Sequence, residues 1–348
     1  MIYSLRQMTG LTEAIMRTTL ERWLHAVWYN NAPSGHLLRP LSWLYGFIIR
    51  LRRRVYRWSM KSRYRAGVPV VVVGNLTVGG AGKTPFVVWL VKQCQRQGIQ
   101  PGVATRGYGA RDETPRLLAA GDNATSAGDE AMLLSRAVAA PIALAPRRAD
   151  AVAILEAQGV ELVVCDDGLQ HYGLDRDLEI CIVDVERRFG NKRLLPAGPL
   201  REPLSRLDEV DEVVWHRQSL QDGEGMALGN PRLRHLLTGD HVSLDALPSQ
   251  RVHAVAGIGH PERFFSSLES HGLDVVSHPF ADHYAFTPDS LTFGDDLPIL
   301  MTEKDAVKCA AFADSRMYSV MVDTLVSESL STSIMQSVMS LCRESLKR

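Results

Sequence analysis

The first 67 residues carry apolar positions at helical spacing. Two stripes of such residues repeat every three or four positions, namely Leu20, Leu24, Val27 and Trp28, then Leu41, Leu44, Tyr45, Ile48 and Val55. The polar stretch from Asn30 to Gly35 separates them. Because a period of about 3.6 residues places such positions on one face, the pattern predicts two amphipathic helices.

The pattern changes at Val68, where short apolar runs begin to alternate with helical stretches. Strands are predicted at Val68–Val73, Gly102–Thr105, Pro141–Leu144, Leu162–Cys165 and Glu179–Val183. Helices are predicted at Pro85–Gln97, Asp129–Ala139 and Arg147–Gln158. Buried strands that alternate with helices imply an α/β fold with a mostly parallel sheet.

A second alternating series follows the polar, glycine-containing stretch Gln218–Gly229. Its predicted strands are Val252–Ala256, Val275–Val276, Leu297–Met301 and Tyr318–Val322, and its predicted helices are Pro261–His271, Asp305–Phe312 and Leu330–Leu346. This series indicates a second, smaller α/β unit. The expected domain boundaries are therefore 1–67, 68–225 and 226–348.

Charge is distributed unevenly along a chain whose net charge is zero. Residues 1–67 carry twelve of the 39 Lys and Arg residues but only Glu13 and Glu21 as acids, and they hold four of the six tryptophans. An apolar, aromatic-rich helix face beside a basic one is typical of a helix at a lipid headgroup surface. The alternative is a helical cap that packs on the neighbouring domain and leaves its basic face in water.

The cysteines and the N-terminus bear on the cellular compartment. The five cysteines are scattered, without a C-x-x-C pair, which favours a reducing cytosol. The first residues lack the apolar core of a secretory signal. The longest apolar run near the N-terminus, Trp43–Ile49, is too short to span a bilayer.

The segment VPVVVVGNLTVGGAGKTP, residues 68–85, has the order strand, glycine-rich loop, helix that a P-loop requires. In such a loop the backbone N–H groups and the helix N-terminus converge on phosphate oxygens. Lys83 would reach the β- and γ-phosphates of a nucleotide, and the Thr84 hydroxyl would bind Mg²⁺. The strict pattern has Gly where this chain has Thr77. The predicted phosphate-binding residues are Thr77, Val78, Gly79, Gly80, Ala81, Gly82, Lys83 and Thr84.

A P-loop also needs a carboxylate for the metal at the end of a neighbouring strand. Asp166 and Asp167 close the apolar run Glu161–Cys165. Because ligands of parallel α/β sheets bind at the carboxyl ends of strands, these acids are expected beside the loop. Successive residues point in different directions, so one is expected to face Mg²⁺ and the other the substrate or a loop. The sequence leaves open whether Asp166 or Asp167 faces Mg²⁺.

Several classes of P-loop protein are disfavoured by missing motifs. A GTPase should carry N/T-K-x-D, but residues 302–305 read Thr-Glu-Lys-Asp, and the stretch from Asp166 to Leu169 lacks the glycine of DxxG. A partition-type ATPase would have a second lysine where Val78 stands. Small-molecule kinases and synthetases remain. A membrane-surface ATPase switch without a small-molecule acceptor is the alternative function.

The remaining motifs resemble those of the tetraacyldisaccharide 4′-kinase family of lipid A biosynthesis. The resemblance rests on VGNLTVGGAGKTP (73–85), TRGYG (105–109), GDEAMLL (128–134), CDDGLQH (165–171), LLPAGPLREP (194–203), AGIGHPERFF (256–265), DHYAF (282–286) and MTEKDAVKC (301–309). These segments cover most of residues 68–309 in order. Thr77 is usual in this family, whereas Thr105 stands where Ser is common and Leu169 where an aromatic residue is common.

The resemblance implies a fold, a reaction and a location. The fold is a P-loop NTPase-like sheet domain with a second, smaller Rossmann-like domain and N-terminal amphipathic helices. The reaction transfers the γ-phosphate of ATP, with Mg²⁺, to the 4′-hydroxyl of an acylated glucosamine disaccharide 1-phosphate. The protein would be peripheral on the cytoplasmic face of the bacterial inner membrane, through its N-terminal helices, and no nucleic acid partner is expected.

The resemblance also assigns residue roles. Asp129, paired with His283, is the candidate base, and Glu130 joins Asp166 or Asp167 near Mg²⁺. From position alone, Asp129 and Glu130 could equally be ordinary acids at a helix N-terminus.

Four further residues are candidates for substrate binding. Arg106 and Tyr108 follow a predicted strand, and a guanidinium suits the phosphate of the substrate. Gln170 and His171 could bind sugar hydroxyls or orient Asp167. Lys304 and Asp305 also end a predicted strand, where an ordinary role at the start of a helix is equally plausible.

Overall fold

The computed structural model describes residues 20, 22–30, 32–58, 63–110, 113–282, 284–345 and 347. These residues form two compact units. The first comprises the described part of Met1–Lys61 with Leu76–Val78 and Val185–Glu209, and the second comprises the remainder of the described chain. The division into domains at residues 67 and 225 stays a prediction.

The first unit is built on two helices, α1 (22–29) and α2 (Arg39–Arg57), joined by a 3₁₀ turn at Pro33–Leu38. A proline in the first turn of α2 suits a helix start, because the N–H that proline lacks would have no intrahelical partner there. α2 buries Ser42, Gly46 and Ile49. The Ser42 hydroxyl donates to the Leu194 carbonyl oxygen at 2.8 Å. One face of α2 therefore packs on the segment 185–209.

The opposite face of this helical region is apolar and exposed. Its large side chains are between 51% and 82% exposed: Leu37, Leu41, Trp43, Leu44, Phe47, Ile48, Leu51 and Trp58. Arg54 lies over the ring of Trp58 at 4.4 Å from its centroid. Amphipathic helices are confirmed within the described residues, although both sides of α2, rather than one, carry apolar groups.

The second unit contains one sheet of thirteen strands and seven further helices among the described residues. The strands are β1 (Val70–Gly74), β2 (Pro101–Thr105), β3 (Arg116–Leu117), β4 (Ile142–Leu144), β5 (Leu162–Asp166), β6 (Leu178–Asp184), β7 (Glu212–Arg217), β8 (Met226–His235), β9 (His241–Val242), β10 (Arg251–Ala256), β11 (Asp274–Pro279), β12 (Ile299–Thr302) and β13 (Met317–Val326). The helices are α3 (Lys83–Arg96), α4 (Ala124–Ala127), α5 (Asp129–Ala137), α6 (Arg148–Ala157), α7 (Pro261–Ser270), α8 (Glu303–Cys309) and α9 (Glu328–Ser345).

The sheet is mostly parallel, as the sequence predicts. The strand order is β11-β10-β12-β13-β8-β7-β6-β1-β5-β2-β4-β3, with β9 paired to β8. Among the strands of the described residues, only the pairs β3–β4, β8–β13 and β8–β9 are antiparallel. The strands predicted for two separate series thus belong to one sheet, because β8 joins β7 in parallel and β13 in antiparallel orientation.

β1 lies inside this sheet, between β5 and β6, and all of its residues are buried. Its run of β-branched valines suits a strand that is covered on both faces. The apolar side of α3, including Phe86, Val87 and Leu90, is buried in the same core cluster as β1. The C-terminal ends of β1 and β5 are neighbours, since Val73 pairs with Asp166. The loops that follow both strands therefore open at the same edge.

Candidate active site

The glycine-rich loop joins β1 directly to the first residue of α3. Gly82 precedes the helix with φ of +91°, a left-handed conformation that favours glycine. α3 begins at Lys83, two residues before the predicted start at Pro85, so Lys83 and Thr84 occupy its first turn. The backbone N–H groups of a first turn have no partner inside their helix and carry partial positive charge. This end of α3 thus has the character of an anion-binding site.

Lys83 contacts two groups that stand at the ends of β1 and β5. Its Nζ donates to Oδ1 of Asn75 at 3.2 Å and lies 3.5 Å from Oδ1 of Asp167. Asn75 follows β1 immediately and is fully buried. The ammonium group is therefore held over the loop by partners that a phosphate could replace.

Thr84 and Asp166 are in contact, as expected for the threonine of a P-loop and the acid that positions its metal. The Thr84 hydroxyl donates to Oδ2 of Asp166 at 3.1 Å. Asp166 is buried, and its Oδ1 has no hydrogen-bond partner. Burial, reinforced by the charge of Glu130, raises the pKa of Asp166 above its usual range, while Lys83 acts in the opposite direction. A buried carboxylate oxygen without a partner at this position suits a bound cation.

Asp167 has a left-handed backbone conformation, with φ of +50°, unlike Asp166 in β5. Non-glycine residues adopt this conformation rarely, and asparagine and aspartate tolerate it best. The backbone itself is anchored nearby, since Arg148 donates to the Asp166 carbonyl oxygen at 2.8 and 3.2 Å. The two adjacent acids therefore serve different partners, Thr84 for Asp166 and Lys83 for Asp167.

The residues present fit a magnesium ion. Mg²⁺ in phosphoryl-transfer sites is held by one or two carboxylates together with phosphate oxygens and water, so a dedicated protein cage is not needed. The described residues contain no group of three or more His, Cys, Asp or Glu side chains suited to hold a metal. Asp166 and Thr84 supply two oxygen ligands, and Glu130 adds negative charge close by.

Asp129 is a buried acid at the start of α5. The Glu130 N–H donates to its Oδ1 at 3.0 Å. Its Oδ2 lies 3.5 Å from Nζ of Lys308 and 3.8 Å from Nζ of Lys304. Two ammonium groups beside one carboxylate favour its ionised form. Asp129 is therefore placed as a carboxylate whose charge is balanced by α8.

The two lysines of α8 belong to a larger ionic network. Lys304 also donates to Asp282 at 3.0 Å, and Lys308 lies 3.1 Å from Asp305. Burial alone would lower the pKa of Lys304, but the charges of Asp282, Asp129 and Glu130 together raise it above its usual value. Asp305 is fully buried. This network connects the acids near the glycine-rich loop to the motif at 302–305.

The four predicted substrate residues occupy loops around this edge of the sheet. Arg106 and Tyr108 are exposed on the loop after β2. That loop touches the start of α5, since a side chain on Gly128 would overlap the Tyr108 carbonyl oxygen. Gln170 donates to the Asn75 carbonyl oxygen at 3.1 Å, and His171 follows it partly buried. Gln170 thus supports the loop backbone.

Two predicted residues of the phosphate loop, Thr77 and Val78, are grouped with the first unit. There Thr77 bridges to Leu200, and the Val78 N–H donates to the Pro199 carbonyl oxygen at 2.9 Å. His283 lies outside the described residues. The structure therefore brings together Lys83, Thr84, Asp166 and Asp167, and places Asp129 with the lysines of α8.

Sequence reasoning missed Asn75, Arg148 and Lys308. Asn75 is the first residue after β1, which is a signal that a search of strand ends would find. Arg148 is only 3% exposed, a rare state for arginine, but its sequence position at the start of α6 gives no hint of this. Lys308 follows Lys304 by one helical turn, so both face the same side of α8.

Known proteins resemble this chain over most of its length. The sequence model of the family described as "LpxK: Tetraacyldisaccharide-1-P 4′-kinase" matches residues 35–339. A "Tetraacyldisaccharide 4′-kinase" of Pseudomonas putida (strain W619) is 48% identical over 309 residues, which cover 87% of this chain and 91% of the relative. One of Ectopseudomonas mendocina (strain ymp) is 46% identical over 303 residues, or 86% of this chain and 91% of the relative.

A solved structure also matches. The crystal structure of the "apo" form of LpxK from Aquifex aeolicus in complex with ATP is similar with a TM-score of 0.74 and 27% sequence identity, and the match covers 88% of this chain and 99% of that one. The family model and the close relatives each extend over more than two thirds of the chain. The chain therefore belongs to the tetraacyldisaccharide 4′-kinase (LpxK) family.

Proposed function

We propose that the residues at the ends of β1 and β5 carry the family reaction in this protein. The protein is an ATP-dependent kinase of lipid A biosynthesis that phosphorylates the 4′-hydroxyl of a tetraacyldisaccharide 1-phosphate. The observation that carries the site assignment is the Thr84–Asp166 hydrogen bond of 3.1 Å beside a buried Asp166 oxygen without a partner.

The phosphate-binding part of the mechanism follows from charge. Backbone N–H groups from Gly79 to Thr84 bind phosphate oxygens, and Lys83 exchanges Asn75 and Asp167 for the β- and γ-phosphates. When bound, Mg²⁺ would neutralise phosphate charge, and Asp166, Thr84 and Glu130 are the residues that would hold it. Before nucleotide binds, Asp167 orients the lysine.

The proton of the attacking hydroxyl needs an acceptor. Asp129 is buried beside two lysines, which favour its carboxylate form, so we assign it this role together with His283. Phosphoryl transfer depends mostly on positioning and charge neutralisation, and a base that accepts the proton late is sufficient. Arg106 is exposed, and a guanidinium suits the 1-phosphate of the lipid, with Tyr108, Gln170 and His171 toward the sugar.

We also propose that the protein acts as a peripheral protein on the cytoplasmic face of the inner membrane. No helix among the described residues has the length and apolar content needed to cross a bilayer. The exposed apolar face of α2 would enter the headgroup boundary, and the arginines of α2 would meet anionic lipid. Each basic residue near an anionic leaflet contributes about 1 kcal/mol.

The reaction is tested with purified protein, γ-labelled ATP and the tetraacyldisaccharide 1-phosphate. Label should appear on the lipid at the 4′ position, and ADP release should depend on the lipid. The variant with both Lys83→Ala and Thr84→Ala should lose transfer and ATP binding. ADP release at full rate without lipid would instead favour the ATPase switch, and unchanged ATP binding by the double variant would refute the loop assignment.

A further inference from the structure

His216 stands at the carboxyl end of β7, next to the glycine-rich loop. Its side chain is only 5% exposed, and its Nδ1 lies 3.0 Å from the Ala81 carbonyl oxygen. β7 is an interior strand: His216 pairs with Asp184 of β6 on one side and with Met226 of β8 on the other. The backbone that carries the imidazole is therefore paired with a strand on each side.

The direction of the hydrogen bond follows from its chemistry. A carbonyl oxygen only accepts, so Nδ1 of His216 must carry the hydrogen. Both the neutral Nδ1–H tautomer and the imidazolium satisfy this requirement. The contact therefore does not depend on the protonation state of His216.

The bond to Ala81 fixes the orientation of the peptide between Ala81 and Gly82. In a planar trans peptide the C=O and the following N–H point in opposite directions. Since the Ala81 oxygen is turned toward His216, the Gly82 N–H is turned away from it. Gly82 is the residue before α3, so this N–H belongs to the helix N-terminal donors that a phosphate can use.

The close approach of the imidazole depends on the absence of a side chain at Gly82. A Cβ built there would lie 2.6 Å from His216 Nδ1 and 3.2 Å from Met226 Cε. The ring therefore packs directly on the bare backbone of the loop. Gly82, with φ of +91°, and His216, 134 residues later, therefore depend on each other. The imidazole can occupy this place because Gly82 has no side chain.

We propose that His216 is a positioning residue for nucleotide: it holds the Ala81–Gly82 peptide so that the Gly82 N–H is aimed at the phosphates before ATP arrives. This inference rests on the proposed role of the loop in phosphate binding. Pre-orientation lowers the ordering cost of binding, so its loss weakens ATP affinity. His216 touches neither substrate nor reacting atoms, and the rate of the chemical step changes less than the affinity.

The test compares variants that keep or remove the donor. His216→Leu and His216→Phe lack an N–H, whereas the side-chain amide of His216→Asn can occupy the place of Nδ1. Loss of one neutral hydrogen bond corresponds to about a fivefold rise in the KM and Kd for ATP. H216L should show this rise with kcat within about twofold of wild type. H216N should stay closer to wild type than either donor-less variant.

A matched control separates this role from simple loss of a buried histidine. His235 is also buried, and its ring bonds to Thr238 and to the Ser315 carbonyl oxygen, remote from the loop. H235L should lower the melting temperature without altering the KM for ATP. If H216L does not fold, H216F serves in its place in the comparison with H216N.

Two outcomes would overturn the proposal. One is an ATP affinity in the donor-less variants equal to that of wild type, and the other is an H216N variant as weak as H216L. A Lys83→Ala variant is measured in parallel. If K83A binds ATP normally, the assignment of the loop itself is wrong; if K83A is impaired and the His216 variants are not, only the inference about His216 fails.

Discussion

Gly80 and Gly82 belong to the same loop, yet their surroundings differ. A Cβ on Gly80 would meet no heavy atom within 4 Å, whereas a Cβ on Gly82 would collide with His216. Gly82 also has a positive φ, and a left-handed conformation costs an alanine about 1–2 kcal/mol. The loop therefore has room for a side chain at Gly80 but not at Gly82.

We expect Gly82→Ala to lower the melting temperature in the absence of nucleotide by at least about 2 °C, from the cost of the strained backbone alone. Gly80→Ala is the matched control, and its melting temperature should stay within about 1 °C of wild type. Differential scanning fluorimetry measures both. Equal melting temperatures for the two variants would show that the backbone at Gly82 relaxes without strain.

Asp129 provides the second prediction at the residue scale. Asp129→Asn keeps the shape of the side chain but is a far weaker proton acceptor, so turnover should fall at least about 100-fold, a typical general-base contribution. Folding should survive, because Lys308 retains Asp305 and Lys304 retains Asp282. Steady-state kinetics and ATP binding are measured together. Near-normal turnover would exclude Asp129 as the base.

The elements around the nucleotide loop could be predicted well from the sequence. The run of valines, the glycines and Lys83 combine in a pattern that few other structures produce, and α3 begins within two residues of its predicted start. The pattern works because each feature is local. A buried strand, a tight turn and a helix start each depend on neighbours within a few residues.

β7 and β8 were not predicted. β8 contains Gly229 and Pro231, which weaken any strand pattern, and it pairs with β13, whose register shifts between Val322 and Thr324. The contact between His216 and Ala81 spans 135 residues. The local periodicity of the sequence cannot predict such a contact, because it depends on the order of the strands in the sheet.

The edge pair β10–β11 carries a titratable cluster. His253 Nδ1 lies 2.9 Å from His278 Nε2, and His253 Nε2 lies 2.9 Å from Oδ1 of Asp295. Phe293 stacks on His278 at 4.0 Å between ring centroids. Burial, together with the charge of His253, lowers the pKa of His278, although Asp295 acts in the opposite direction.

The sign of the pH effect follows from this shift. The unfolded chain binds a proton at its histidines near pH 6.5, before His278 does so in the folded protein. The contribution of neutral His278 to stability is therefore complete above about pH 6.5 and decreases as the pH falls toward the lowered folded-state pKa. His278→Gln keeps a donor at the position of Nε2 but does not titrate.

We expect H278Q to lose less stability than wild type between pH 7.5 and pH 5.5. Urea midpoints at both pH values measure this difference. His241→Gln is the control, because His241 is exposed on β9. If H278Q and wild type lose stability equally over this range, His278 does not contribute to the acid sensitivity of the protein.

At the scale of the whole molecule, the basic excess of residues 1–67 coincides with the exposed apolar face of α2. Arg53 and Arg57 pair with Glu209 of the same unit, and Arg57 remains 67% exposed. The buried side of α2 is occupied by its contacts with Leu194 and with the Arg201 carbonyl oxygen. Deleting residues 1–60 would remove these contacts as well as the apolar face, so point variants give a cleaner test.

The substitutions Leu44→Glu and Phe47→Glu, made together, place two carboxylates on this face, where the native side chains are 56% and 63% exposed. Each large apolar side chain contributes about 1.5–3 kcal/mol on leaving water. Binding to vesicles that contain anionic phospholipid should therefore weaken at least about tenfold in a sedimentation assay, and rising salt should weaken the wild type as well. Leu237→Glu, at a site 61% exposed outside this unit, should bind vesicles as the wild type does. Unchanged binding of the double variant would exclude α2 as the membrane contact, since its only large change is the loss of that face.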